Sequence, residues 1–199
     1  MKKLLLTLLA VAFYATPLSA APYVSGSIGL ASFANSDSTY GGITKTDMIA
    51  YKSGVPFAGA VGIKSGAYRI EVALGYQSDD IDTVKRNGVP VSVTGYSVST
   101  FSYMLNGYYN LDIKGSGLSP YLTAGIGGSS LIEKGGSGAD ETTGGLAWQL
   151  GAGVGIRASE HITVDLGYRY FRPSAYNANF ATDITALSHN VMAGVRYGF

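Results

Sequence analysis

Arg69, Glu71, Arg157, Asp165, Arg169 and Arg196 are the residues of this chain best placed to do chemistry. Carboxylates set among guanidiniums can relay a proton, line a path for a solute, or pair with one another and hold an interior together. The last role carries a strict requirement, since a buried charge is tolerated only when it is paired and hydrogen-bonded. Each of these residues lies on the polar parity of a segment that alternates with a period of two. Extended strands, not helices, must therefore position them.

Segment 68–76 shows the alternation most clearly. Tyr68, Ile70, Val72, Leu74 and Tyr76 take one face, while Arg69, Glu71, Ala73 and Gly75 take the other. In 101–111, Phe101, Tyr103, Leu105, Tyr109 and Leu111 oppose Ser102, Asn106 and Asn110. In 146–156, Leu146, Trp148, Leu150, Ala152, Val154 and Ile156 oppose Gln149, Gly151, Gly153 and Gly155. Segment 162–170 sets Ile162, Val164, Leu166, Tyr168 and Tyr170 against Asp165, Gly167 and Arg169. The closing segment, 188–199, sets His189, Val191, Ala193, Val195, Tyr197 and Phe199 against Asn190, Gly194 and Arg196. Glycine and alanine dilute the pattern in 24–30, 57–63 and 122–126, which complete a set of eight strands.

The ends of the chain agree on an address. Lys2 and Lys3 precede an apolar run over 4–14 and a small-residue zone, Pro17-Leu18-Ser19-Ala20, which together have the form of a secretory signal peptide over 1–20, cut after Ala20. The run is too short for a spanning helix, which needs about 20 apolar residues. Removing it takes two of 14 basic residues and none of 13 acidic ones, leaving a net charge of −1. No basic patch remains to suggest nucleic acid. Residues 21–199 fit one domain. The absence of cysteine excludes a disulfide framework and a thiolate metal site.

Connections alternate in length. Ser65-Gly66, 112–119 and 158–160 are short, whereas 32–55, 77–95, 129–145 and 172–187 are long and rich in Gly, Ser, Thr, Asn and Asp. With both termini periplasmic, the long ones face outside and carry formal charges of 0, −1, −2 and 0. Tyr23, Tyr68, Tyr109, Tyr121, Tyr197 and Phe199 gather at the short-turn end; Phe57, Tyr76, Phe101, Trp148, Tyr168 and Tyr170 gather toward the other. Two aromatic girdles are expected where a membrane has two interfaces. The predicted fold is all-β: an eight-stranded antiparallel up-and-down transmembrane β-barrel. A soluble barrel of lipocalin type is its rival, and would turn Arg69 and Glu71 outward around an apolar ligand cavity.

Several strand segments carry a resemblance. Arg69-Ile70-Glu71-Val72, 104–111 (MLNGYYNL), 120–127 (PYLTAGIG), 149–155 (QLGAGVG), 165–171 (DLGYRYF) and the ending 188–199 resemble the small opacity-type and major-surface-antigen outer-membrane β-barrels. The resemblance spans the strands of most of 21–199 and leaves the long loops unmatched. It implies a monomeric barrel without a cofactor, placed in the bacterial outer membrane by the barrel-assembly machinery, with Tyr197 and Phe199 in the sorting signal. Implied partners are outer-membrane lipid and lipopolysaccharide, with a host or surface ligand reserved for the loops.

An eight-stranded barrel has an interior just wide enough for side chains to fill, so the six charges are expected to form a lumen polar network instead of a path. Asp165 should pair with Arg196 across the last two strands, and Glu71 should share Arg69 or another inward arginine. His161 and His189 are the only histidines, too few for a multi-histidine metal site. Ser188-His189 prompts a lipid-hydrolase reading, but adjacent strand residues point to opposite faces. The glycine runs 125–128 and 151–155 lack the lysine and following helix of a phosphate loop and more simply make room for large neighbours. Asp79, Asp80 and Asp82 have the type to hold a divalent cation, although a solvated loop accounts for them. The expectation is a non-enzymatic barrel with an envelope-structural and loop-displayed, adhesin- or antigen-like role. Its alternatives are a narrow passage for small or hydrophobic solutes and, behind that, a lipid-modifying enzyme.

Overall fold

The computed structural model describes residues 20–33, 36–40, 43–51, 53–86, 89–92, 97–134, 141–174, 176–178, 181–184 and 187–199. The segment read as a signal peptide, Ala20 apart, lies outside the described residues. Thirteen strands are described: β1 (Ala21–Phe33), β2 (Ser36–Tyr40), β3 (Ile43–Tyr51), β4 (Phe57–Ser65), β5 (Tyr68–Arg86), β6 (Val89–Ser92), β7 (Ser97–Asn110), β8 (Leu118–Lys134), β9 (Glu141–Arg157), β10 (Ile162–Pro173), β11 (Tyr176–Ala178), β12 (Ala181–Ile184) and β13 (Ser188–Gly198). Eight close into a barrel in the order β5-β4-β1-β13-β10-β9-β8-β7, with β7 returning to β5 and every pair antiparallel. Closure leaves no strand edge to face hydrocarbon, which cannot satisfy free backbone groups.

The period of two sorts the wall. Leu30, Ile126 and Val191 are 67 %, 62 % and 65 % exposed, whereas Arg69 and Glu71 are 3 % and 5 % exposed. A band of exposed Leu, Ile and Val around a charged interior is stable only if the band meets lipid. The soluble-barrel rival, which needs the opposite arrangement, is thereby overturned. No helix among the described residues is long and apolar enough to cross a membrane; strands do the crossing.

The four segments expected as loops are largely strand in the described residues. β5 runs 19 residues, nearly twice the roughly 9–11 that a tilted strand needs to cross. β3 pairs with its upper part, and a further sheet continues through β2 to β12 and β11, while β6 folds back on β5. Alternation fails as a guide here because both faces of these extensions lie above the hydrocarbon, so nothing forces one of them to be apolar, while backbone groups still pair.

The turns at the short-connection end are tight where the sequence supplies glycine. Gly66 sits at φ +57° in the β4–β5 turn, and Gly115 and Gly117 at +78° and +69° between β7 and β8, a region other residues enter at a cost.

Two girdle assignments need correction. Tyr23 is 3 % exposed and points inward, sharing parity with Ser25 and Ser27. Tyr121 also faces the lumen, packed edge-on to Tyr108 at 5.6 Å. The girdle at the short-turn end instead holds Tyr68 against Tyr109, and Tyr197 between His161 and Phe199. Phe57 with Tyr76, and Trp148 with Tyr170, form part of the upper one.

Candidate functional site

A register row crossing six strands organises the lumen: Tyr23 on β1, Gly62 on β4, Glu71 on β5, Asn106 on β7, Gly125 on β8 and Gln149 on β9. The glycines take the second and fifth places, and across each gap a longer side chain leans toward the next. Over Gly62, the Tyr23 hydroxyl donates to Glu71 Oε2 at 3.1 Å. Over Gly125, Gln149 Nε2 donates to Asn106 Oδ1. Asn106 Nδ2 donates to Glu71 Oε1 at 3.4 Å, and Tyr108, one step down β7, adds its hydroxyl at 3.0 Å. Glu71 thus accepts from three donors, and the row joins strands that are not neighbours.

Arg69, two residues before Glu71 on the same face, makes no ion pair with it, contrary to expectation. Neighbours on one face of one strand stand about 6.6 Å apart, whereas the cross-strand tyrosines come closer. The Arg69 guanidinium carbon lies 4.0 Å from the Tyr108 ring centre, 5.1 Å from that of Tyr121 and 5.9 Å from that of Tyr23. Three aromatic faces hold the cation electrostatically. The expected Asp165–Arg196 pair is present at 3.3 Å, and Arg196 also lies 5.5 Å from the Tyr23 ring centre. Arg169 lines two luminal cavities. Arg157 is the exception to the luminal set. It is the last residue of β9, where the barrel opens, so its side chain is exposed to water at the short-turn mouth.

Packing leaves little open space. A cavity of about 60 Å³ lies beside Arg69, Glu71 and Asp165, and one of about 30 Å³ lies beside Gln77 and Gln149. These volumes admit a few water-sized species. Near them, buried Met104, Ala147 and Phe171 form an apolar cluster.

A larger basin, about 530 Å³, opens at the short-turn mouth beside Lys64, Asp112, Lys114 and Arg157. There Lys64 donates to Asp112 Oδ2 at 3.0 Å, and the Ser119 hydroxyl donates to Asp112 Oδ1. The Ser119 bond, with Lys64 adding to it and partial burial opposing both, holds the Asp112 carboxyl below its usual range. A carboxyl depressed on folding stabilises above its unfolded value, about 3.9, and loses that contribution as pH falls through the lowered one. Solvent screening limits the gain to under about 1 kcal/mol. In a carbon-13 NMR titration, Ser119→Ala is expected to move the Asp112 midpoint upward; an unmoved midpoint would refute this origin.

The dyad suggested by Ser188-His189 does not form. Ser188 is fully buried and bonded by Asn190, while His189 is exposed, with Nδ1 on the Tyr168 hydroxyl and its ring edge-on to Tyr170. No metal-binding cluster of three or more His, Cys, Asp or Glu residues occurs among the described residues. The side chains of Asp79, Asp80 and Asp82 fall outside them. Sequence reasoning missed Tyr23, Asn106 and Tyr108 as partners of Glu71. The parity of Tyr108 with Asn106 and Asn110 was an available signal.

The family model described as outer membrane protein beta-barrel domain matches residues 4–199. No curated protein is similar enough in sequence to match. Among solved structures, Neisserial surface protein A aligns at a TM-score of 0.62 and 18 % identity, covering 90 % of this chain and 99 % of its own. The outer membrane protein OprG of Pseudomonas aeruginosa aligns at 0.62 and 14 % identity, covering 91 % and 96 %. At such identities the likeness establishes the fold. Lipid-facing wall, charged and packed lumen, closed strand order and family match agree: the chain belongs to the outer membrane protein β-barrel family and resides in the bacterial outer membrane.

Proposed function

We propose that this barrel is non-enzymatic, contributes to envelope structure, and presents its extracellular strands and loops to the surroundings in the manner of an adhesin or surface antigen. The observation that carries the reading is the bonded row from Tyr23 to Gln149, which fills the lumen and leaves cavities of about 60 and 30 Å³. A scaffold rigid at its centre and extended above the membrane fixes its outer segments for binding. Those segments, within 32–55, 77–95, 129–145 and 172–187, are the surface offered to a host ligand. Cells carrying a version with all four trimmed to short turns are expected to keep the barrel in the outer membrane and lose adherence to host-cell monolayers. Unchanged adherence with the trimmed barrel present would defeat the proposal.

Outer-membrane lipid and lipopolysaccharide are the proposed neighbours of the wall, and the protein is proposed to work as a monomer after cleavage following Ala20. Tyr197 and Phe199, both exposed at the periplasmic end, are proposed to engage the barrel-assembly machinery. Deleting Phe199 is then expected to lower recovery in the outer-membrane fraction several-fold, and full recovery would argue against that role.

A further inference from the structure

The lumen is unbalanced in charge. Among the described residues its interior holds Arg69, Arg169 and Arg196 against Glu71 and Asp165, a surplus of one positive charge. The carboxylates are the better served side. Glu71 takes three hydrogen bonds and Asp165 takes Arg196. By contrast, no protein acceptor reaches Nε or Nη2 of Arg69, and no hydrogen bond or ion pair from the described residues reaches Arg169. Arg69 is 3 % exposed, so bulk water does not compensate it. Both arginines line the same cavity of about 60 Å³.

We propose that this cavity is a binding site for a small monovalent anion, of the halide class, held between Arg69 and Arg169. An unpaired buried charge costs several kcal/mol, and the least disruptive remedy is a counter-ion small enough to enter. The volume sets the class, since it holds a few water-sized species and excludes a phospholipid headgroup or a sugar phosphate. The tyrosine rings around Arg69 shield one side of its guanidinium without accepting its N–H bonds, which leaves those donors for an anion. Binding in the native state alone must stabilise the fold as ligand concentration rises.

The test uses the whole barrel in detergent micelles. Thermal midpoints are compared in sodium chloride and in sodium gluconate at matched ionic strength, gluconate being too large for the cavity. The expected result is a rise of about 3 °C per tenfold chloride near saturation, absent in gluconate. Arg69→Met keeps an unbranched side chain against the rings while removing the surplus charge, and is expected to abolish the difference. Arg169→Gln serves the same purpose should Arg69→Met not fold. Crystals grown in bromide should show an anomalous peak in the lumen. Equal midpoints in the two salts, an equal chloride slope in the variants, or a bromide map without a luminal peak would each overturn the site, leaving water as its occupant.

Discussion

Glu71→Ala is expected to destabilise the barrel by about 3–5 kcal/mol, the cost of removing one partner from a buried charged network. Two effects combine. The hydroxyls of Tyr23 and Tyr108 and the Asn106 amide lose their acceptor, at about 1–3 kcal/mol for each buried group left unsatisfied. The interior surplus also grows from one positive charge to two. The second effect can be isolated, because Glu71→Gln raises the surplus equally but keeps a carbonyl acceptor. It should therefore cost less than Glu71→Ala. Adding Arg69→Met to Glu71→Ala returns the surplus to one and is expected to recover at least about 1 kcal/mol relative to additivity. Urea midpoints of the heat-modifiable band measure all three. A Glu71→Ala barrel within about 1 kcal/mol of the parent would mean that Glu71 does not compensate the luminal arginines.

The transmembrane strands were legible because lipid on one side and a polar lumen on the other force strict alternation. The parity that put Arg69, Glu71, Asp165, Arg169 and Arg196 inside holds in the structure, as does the Asp165–Arg196 pair. Tyr23 and Tyr121 were misread for a physical reason. Tyrosine is at home both at a membrane interface and in a polar interior, so its type and its nearness to a strand end do not decide, whereas parity with Ser25 or Thr123 does. Arg157 followed the parity rule yet stands at the end of its strand, where the inward direction already opens to water. The extracellular strands were hidden because polar surroundings on both faces erase the pattern without removing the backbone pairing. Register was the other missing quantity. Alternation says which face a residue takes but not which residue stands opposite, so the meeting of Glu71 with Asn106 and the tyrosines is a matter of register, whereas its distance from Arg69 follows from the spacing along one strand.

Register also yields the second large effect. Gly125 stands between Asn106 and Gln149, and an added Cβ there would fall on Asn106 Oδ1 and lie 3.1 Å from Gln149 Cγ. Gly125→Val is expected to break the Gln149–Asn106 bond, strand two buried amides and overpack a filled lumen. Overpacking costs about 1–3 kcal/mol and each unsatisfied amide about 1–3 kcal/mol more, so a loss of about 3–5 kcal/mol is expected. Strand propensity pulls the other way, since valine favours strands over glycine within a span of about 1 kcal/mol. The steric and polar losses exceed it. Gly107→Val separates the two, for Gly107 lies on the lipid face of β7, where an added Cβ comes no nearer than 3.9 Å to Ala124 O. That variant should match or exceed the parent in stability. If instead both valine variants lose stability alike, the glycines serve backbone flexibility, and the lumen does not depend on side chains leaning across them.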